Sequence, residues 1–284
     1  MTDSKQRIRA LLDIINLVPS RHRPFLTRSY PYRGRRKMLN ALGDTLNTET
    51  RWPASDTPVG GELADIFTTT PHVHKWQHYL PIYETALTPY RGRPIRMMEV
   101  GVYQGGSLQM WRQYLHPDST IVGVDIDPEC KQFDNPANGV HVRIGAQQDT
   151  DFLAEVACEF GPFDVILDDG SHMTSHMVNT FRWLFPNALT DGGVYIVEDI
   201  HSNYWKHNRD SAMSFVDFTK YLIDAMHAHY QTAISELDFR VGHPQRRSEI
   251  PVPAAATMLG GVEFYDSIAV FHRRSRELPR SIHR

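Results

Sequence analysis

From about residue 95 onward, short runs of consecutive apolar residues alternate with stretches in which apolar residues recur every third or fourth position. A short run that is apolar on both faces marks a parallel strand buried between helices, and the longer period is that of the helices covering it. The pattern predicts strands at 95–100, 120–125, 140–144, 163–168 and 194–198, with helices at 107–115, near 128–132, at 150–160 and at 175–185. In the last helix Met177, Val178, Phe181, Leu184 and Phe185 form the apolar stripe. Asp191-Gly192-Gly193 reads as a tight turn into the fifth strand, and a long amphipathic helix is expected from roughly 209 to 230. Val262 to Ser267, leading into Ile268 to Phe271, reads as paired strands that close the sheet. The expected class is α/β, a mostly parallel sheet with helices on both faces.

Upstream the pattern is looser. Ile8, Leu11, Leu12, Ile15 and Val18 fall at helical spacing within 5–18, and 19–37 reads as a loop. That loop carries Arg21, Arg23, Arg28, Arg33, Arg35, Arg36 and Lys37 without one acid, although the whole chain has a net charge of −3 and no general pull toward nucleic acid. Residues 38–62 read as further loop around a short helix, and 72–87 as a helix that Pro81 kinks or begins. The expected division is an N-terminal extension, 1–65, and a main domain, 66–284. Two cysteines make no disulfide framework, and neither a membrane-length apolar run nor a signal-like opening is seen, so a cytoplasmic enzyme is expected.

The chemistry lies where the strands end. The run Phe163 to Leu167 closes in Asp168-Asp169-Gly170-Ser171-His172, and Val194 to Val197 closes in Glu198-Asp199. Carboxylates delivered to the carboxyl edge of neighbouring parallel strands stand where open α/β sheets bind ligands. Asp169, Glu198 and Asp199 would be hard oxygen donors, suited to Mg²⁺, Mn²⁺ or Ca²⁺ rather than Zn²⁺. Such acids also serve as helix caps or ion-pair partners, and His172 could merely bond backbone at a helix start. After the first strand, Gly101, Gly105 and Gly106 have the spacing Gly-x-x-x-Gly-Gly, which argues against NAD or FAD. Asp125 ends the second strand, a position from which a carboxylate accepts both hydroxyls of a ribose. Glycine turn and acid together imply a nucleoside-containing cofactor. His72, His74, Lys75, His78 and Tyr79 read as a lid over cofactor and substrate, or as plain surface helix. His201 and Tyr204 are candidate substrate contacts, with loop packing the alternative.

The order Glu99-x-Gly101, Gly123-Val124-Asp125 and Ile144 to Asp149 resembles the S-adenosyl-L-methionine-dependent methyltransferases of the Rossmann-like class I, over about residues 95–271. That resemblance implies a seven-stranded sheet. It places Glu99 and Gly101 by the methionine moiety, Asp125 on the ribose, Ala146 and Gln147 beside the adenine, and Tyr103, Ser107 and Asp168 among the cofactor contacts. Asp168 to His172 with Glu198-Asp199 is similar to the macrolide sugar and rhamnosyl O-methyltransferases, with cephalosporin hydroxylase-like proteins as relatives. By that resemblance Asp169, Glu198 and Asp199 bind Mg²⁺ (or Mn²⁺) and His172 is the general base. The implied reaction is methyl transfer to a sugar hydroxyl of a glycosylated natural product, lipid or polysaccharide. A sugar hydroxyl is a poor nucleophile toward a methyl sulfonium, so a cation that acidifies it and an imidazole that takes its proton make chemical sense. The expected partner is a small-molecule glycoside or glycan, with no nucleic acid, no membrane span and a homo-oligomeric assembly. A catechol-like aromatic acceptor is the first alternative, and a non-catalytic nucleoside-binding scaffold the second. A hydroxylase would need iron and a second histidine ligand, which the acid-only set does not offer.

Overall fold

The computed structural model describes Thr45, Leu46, Thr48 and residues 50–283. The expected helix 5–18 and the basic segment 21–37 lie outside the described residues. The chain divides into two units, Met1–Thr57 and Pro58–Arg284. The second begins ahead of the expected 65/66 boundary, because helix α1 (Glu62–Thr69) buries Leu63 and Ala64 in its core and the Leu63 N–H donates to Glu84 Oε1 at 2.6 Å. Among the described residues no helix is long and apolar enough to cross a membrane.

A helix α2 (Leu80–Leu87) leads into a regular alternation: β1 (Arg96–Val100), α3 (Gly106–Tyr114), β2 (Thr120–Asp125), β3 (Val140–Ile144), α4 (Thr150–Phe160), β4 (Phe163–Asp168), α5 (Thr174–Asn187) and β5 (Leu189–Val197). After them come α6 (Phe215–Met226), α7 (Ala228–Thr232), α8 (Ala254–Met258), β6 (Leu259–Phe264) and β7 (Ala269–Arg273). Short 3₁₀ turns occupy Gln77–Tyr79, Pro128–Phe133 and Ile200–Tyr204. The seven strands run in the order β3-β2-β1-β4-β5-β7-β6, parallel through β5, with β7 antiparallel to both β5 and β6.

Alternation along the strands splits the core into two layers. Met97, Ile121, Val165, Leu167, Val194 and Ile196 face the layer that holds Leu63, Tyr83, Leu108 and Trp111. Met98, Val122, Ile166, Tyr195 and Phe271 face the other, against Leu153, Met177, Phe181 and Phe215. Pro81 marks the true start of α2 and does not kink a longer helix, since a proline in the first turn forfeits no helical hydrogen bond. The expected 209–230 helix is two: α6 starts at a Ser214–Asp217 capping box, and His227 interrupts the run before α7. The fifth strand begins at Leu189, so Asp191 to Gly193 lies within β5 at a register shift against β4, where a turn was expected.

The strand order reverses between β1 and β4, which opens a crevice at their carboxyl ends. The crossing is tight: Gly101 has φ of 97°, and a Cβ there would lie 2.2 Å from the Asp169 carbonyl oxygen. Replacement of Gly101 by alanine therefore combines left-handed strain with overpacking, and should lower the unfolding free energy by about 2–4 kcal/mol. Chemical denaturation measures it. A loss within a few tenths of a kcal/mol would mean that the two strand ends can part.

Candidate metal and cofactor site

A cavity of about 390 Å³ opens at this crevice, lined by the glycine turn after β1, by Asp125, by Gly145 to Gln148 after β3 and by Asp169 to His172 after β4. The Asp125 Oδ2 accepts the N–H groups of Val102 at 2.8 Å and Tyr103 at 3.0 Å, and its Oδ1 accepts that of Asp127 at 2.9 Å. Burial alone would raise its proton affinity, but these backbone donors outweigh burial and hold the carboxyl below its usual range. Asp125 is thus an ionised acceptor on the cavity wall that also shapes the turn. Ala146 and Gln147 line the far end, and Tyr103, 72% exposed, overhangs the mouth. Ser107 lines the cavity too and donates to Glu99 Oε2 at 2.8 Å.

Two expected cofactor contacts lie behind this wall. Glu99 and Asp168 are almost wholly buried, and neither reaches the cavity. Asp168 follows Ile166 onto the face opposite Asp169 by strand alternation, where it accepts Gln147 Nε2 at 3.1 Å and the Tyr195 hydroxyl at 3.2 Å. Gln147 Oε1 in turn accepts the Ser171 N–H at 2.6 Å. Asp168 is therefore a brace where a cofactor contact was expected. Burial pushes its carboxyl up to about 6 against the hydrogen bonds it accepts.

The same alternation sends Glu99, Asp169 and Glu198 to the other face, and there they meet Lys75. Its Nζ donates to Asp169 Oδ2 at 2.5 Å and to Glu198 Oε1 and Oε2 at 2.9 and 3.1 Å, and stands 3.6 Å from Glu99 Oε1. Desolvation would discharge this lysine, whose side chain is 2% exposed, but Asp169, Glu198 and Glu99 together hold its proton affinity well above the ordinary value. Burial and the neighbouring Asp169 raise the Glu198 carboxyl, and Lys75 opposes them.

Outside this buried half, His172 Nε2 lies 3.9 Å from Asp169 Oδ1 and 3.8 Å from Asp199 Oδ2. One ligand atom from each of Asp169, His172 and Asp199 falls within 4.8 Å of the other two. Carboxylate oxygens so gathered, with an imidazole beside them, suit a hard divalent cation. Asp169, Glu198 and Asp199 all line the cavity, as expected of one set; Asp169 and Asp199 stand with His172, and Glu198 pairs with Lys75. The Tyr79 hydroxyl donates to Asp199 Oδ1 at 2.8 Å and, raised by burial, remains a donor. His72, Tyr103, His172, Asp199 and Ser267 have positive φ and all lie on or beside this site. Such residues cost roughly 1–3 kcal/mol each and collect where function demands them.

His72, His74, Lys75 and Trp76 line the cavity, as expected of a lid, whereas His78 turns away to the Asp266 carbonyl. Neither His201 nor Tyr204 lines the cavity. His201 bonds Ser267 and sits between Trp76 and Trp205, with ring centroids at 5.3 and 4.6 Å. Lys75 as a partner of the acids, Tyr79 as a donor to Asp199, and Trp76 and Trp205 as the rim were not foreseen. Only the polar lid segment hinted at the first two.

Residues 98–200 match the family model described as a methyltransferase domain. The chain is 34% identical over 215 residues to the 8-demethyl-8-(2-methoxy-alpha-L-rhamnosyl)-tetracenomycin-C 3'-O-methyltransferase of Streptomyces olivaceus, covering 70% of this chain and 50% of that protein. It is 35% identical over 143 residues to the demethylmacrocin O-methyltransferase of Streptomyces fradiae, covering 48% of this chain and 35% of that protein. The solved MycE methyltransferase from the mycinamycin biosynthetic pathway, in complex with Mg and SAH, superposes with a TM-score of 0.63 at 27% identity, covering 78% of this chain and 54% of that one. The chain spans about half the length, or less, of these relatives. Its fold is the Rossmann-like methyltransferase fold.

The brace assigned to Asp168 has a pH signature. Its folded proton affinity, about 6, exceeds the ordinary 3.8, so its contribution to stability is full below the lower value and is lost as pH rises through the higher. In metal-free buffer, Asp168→Asn should therefore gain on the wild type between about pH 4 and 6, by about 3 kcal/mol at most. Denaturation curves across that window measure the gap. A gap that does not change with pH would overturn the assignment.

Proposed function

We propose that this chain, which over its methyltransferase domain is similar to the sugar O-methyltransferases, transfers the methyl group of S-adenosyl-L-methionine to a sugar hydroxyl of a glycosylated natural product. One observation carries the reading: a single cavity is walled at one end by the glycine turn, Asp125 and Ala146, and at the other by Asp169, His172 and Asp199. A nucleoside-bearing methyl donor and a cation-assisted acceptor need those two ends side by side. MycE is described with Mg and SAH, and also with mycinamycin VI, which supports the same pairing here.

Asp125 accepts the ribose hydroxyls with the lone pairs its backbone donors leave free. The glycine turn with Tyr103 and Ser107 borders the methionine end, and Ala146 and Gln147 border the adenine. Asp169 and Asp199, with Glu198 as the further carboxylate, would hold Mg²⁺ or Mn²⁺, whose Lewis acidity lowers the pKa of an adjacent sugar hydroxyl. As the methyl carbon passes from the sulfonium sulfur to the acceptor oxygen, His172 Nε2, 3.9 Å from Asp169 Oδ1 and 3.8 Å from Asp199 Oδ2, would take the hydroxyl proton. Trp76, His201 and Trp205 offer ring faces to the apolar side of a sugar or its aglycone, and Tyr204 follows on the same turn.

The test is transfer of labelled methyl to a panel of rhamnosides, macrolide glycosides and catechols. Glycosides should be methylated, EDTA should abolish turnover and Mg²⁺ should restore it. His172→Ala should lower kcat by roughly 10²–10⁴-fold, while calorimetry shows S-adenosylhomocysteine bound as before. Methylation of catechols alone would replace the acceptor class, and full turnover in EDTA would remove the cation.

A further inference from the structure

We infer that Lys75 is a positioning residue that sets which carboxylates a divalent cation can reach, so that Glu198 joins the ligand set only when the Lys75 ammonium is displaced. This rests on the reading of Asp169 and Asp199 as a cation site. Glu198 lines the cavity, but both its oxygens accept from Lys75 Nζ, at 2.9 and 3.1 Å, and both side chains are 2% exposed, so a cation that takes up Glu198 competes with the ammonium. Asp169 is divided, with Oδ2 on Lys75 and Oδ1 toward His172. Asp199 is divided likewise, with Oδ1 on Tyr79 and Oδ2 toward His172. With Lys75 docked, the groups left to a cation are Asp169 Oδ1, Asp199 Oδ2 and His172 Nε2.

That arrangement conflicts with the base assigned to His172, because an imidazole nitrogen bound to a metal cannot accept a proton. Exchange of Glu198 for His172 removes the conflict, and the lysine is what stands in the way of the exchange. Among the described residues, Glu99, Asp169, Glu198 and Asp199 bring four carboxylates to one cluster that holds a single ammonium. A doubly charged ion placed among them compensates more charge than the lysine it replaces.

The displaced lysine has somewhere to go. Residues 73–76 belong to no helix or strand, and the segment runs along the cavity wall. The Lys75 ion pairs fasten it at one end, and His72 at the other, packed so closely on Gly106 that a Cβ there would lie 2.3 Å from the His72 carbonyl. Release of the ammonium loosens the segment that carries Trp76 of the acceptor rim. Cation binding, release of His172 and opening of the rim thus become one event.

The test uses the metal-free full chain with Mn²⁺ alone, and reads free Mn²⁺ by electron paramagnetic resonance and backbone hydrogen exchange over residues 72–79. In the wild type, saturating Mn²⁺ should speed exchange of 72–76. Lys75→Met should bind Mn²⁺ at least about tenfold more tightly, and its segment should exchange fast with or without metal. Glu198→Gln should retain weak binding and lose the metal-induced change. Slowed or unchanged exchange in the wild type, or no tightening in Lys75→Met, would make Lys75 a fixed counter-ion and overturn the inference. The wild-type exchange result decides the matter even where Lys75→Met does not fold. Absence of Mn²⁺ binding to every protein overturns the cation reading as well. Mn²⁺ binding without the exchange response overturns this inference alone.

Discussion

The ammonium of Lys75 lies among Asp169, Glu198 and Glu99, and that contact sets the terms for everything around it. Strand alternation leaves no choice about where these acids point. Glu99 follows Met97, Asp169 follows Leu167 and Glu198 follows Ile196, each two residues on, so all three enter the layer that also holds Tyr83 and Trp111. Ionised carboxylates in such a place are tolerable only with positive charge beside them. The chain supplies that charge from a segment outside the sheet, and thereby ties the segment's position to the protonation and occupancy of the cluster.

That dependence explains which parts of the molecule were legible from the residues. Strands such as Thr120–Asp125 and Phe163–Asp168 lie where the apolar runs put them, because a strand buried on both faces has a local signature. The acids at their ends were legible for the same reason. Which face each acid takes also follows from strand parity, and parity would have separated Asp168 from Asp169, but the family resemblance grouped Asp168 with the cofactor contacts. The partner of Glu198 was not legible. Lys75 precedes it by 123 residues and sits in no regular element, so no period or spacing links the two. The single helix read at 209–230 failed for a local reason, since apolar spacing continues past His227 while the backbone does not.

The strained backbone has the same origin. His172 and Asp199 both adopt left-handed conformations, His172 four residues beyond the end of β4 and Asp199 two beyond the end of β5, where the chain turns to present these side chains. A more relaxed turn would spread Asp169, His172 and Asp199 beyond common reach. The strain is held in place by neighbours: the His172 carbonyl accepts the Ser202 hydroxyl at 3.1 Å and the Asn203 amide at 3.3 Å. Asn203 also accepts the Phe215 N–H at 2.9 Å, which anchors the start of α6 to the same corner. The 3₁₀ turn after β5 therefore fixes the loop after β4.

A second chain of bonds joins the two ends of the cavity. Tyr195 and Gln147 both donate to Asp168, Gln147 also donates to Thr180, and the Gln147 side-chain Oε1 receives the N–H of Ser171, which stands next to His172. Gln147 borders the expected adenine position, so that wall of the cavity and the loop that carries His172 share one buried amide. Any shift of Gln147 must move Ser171 or break its bond, and a broken bond at that depth leaves a polar group unsatisfied at a cost of about 1–3 kcal/mol. The Gln147 wall and the His172 loop are thus held together on one face of the sheet by Asp168. On the other face Lys75 holds Asp169 and Glu198 to the segment 73–76, so the two carboxylates of one Asp-Asp pair, pointing opposite ways from one strand end, tie the loop to both sides of the sheet.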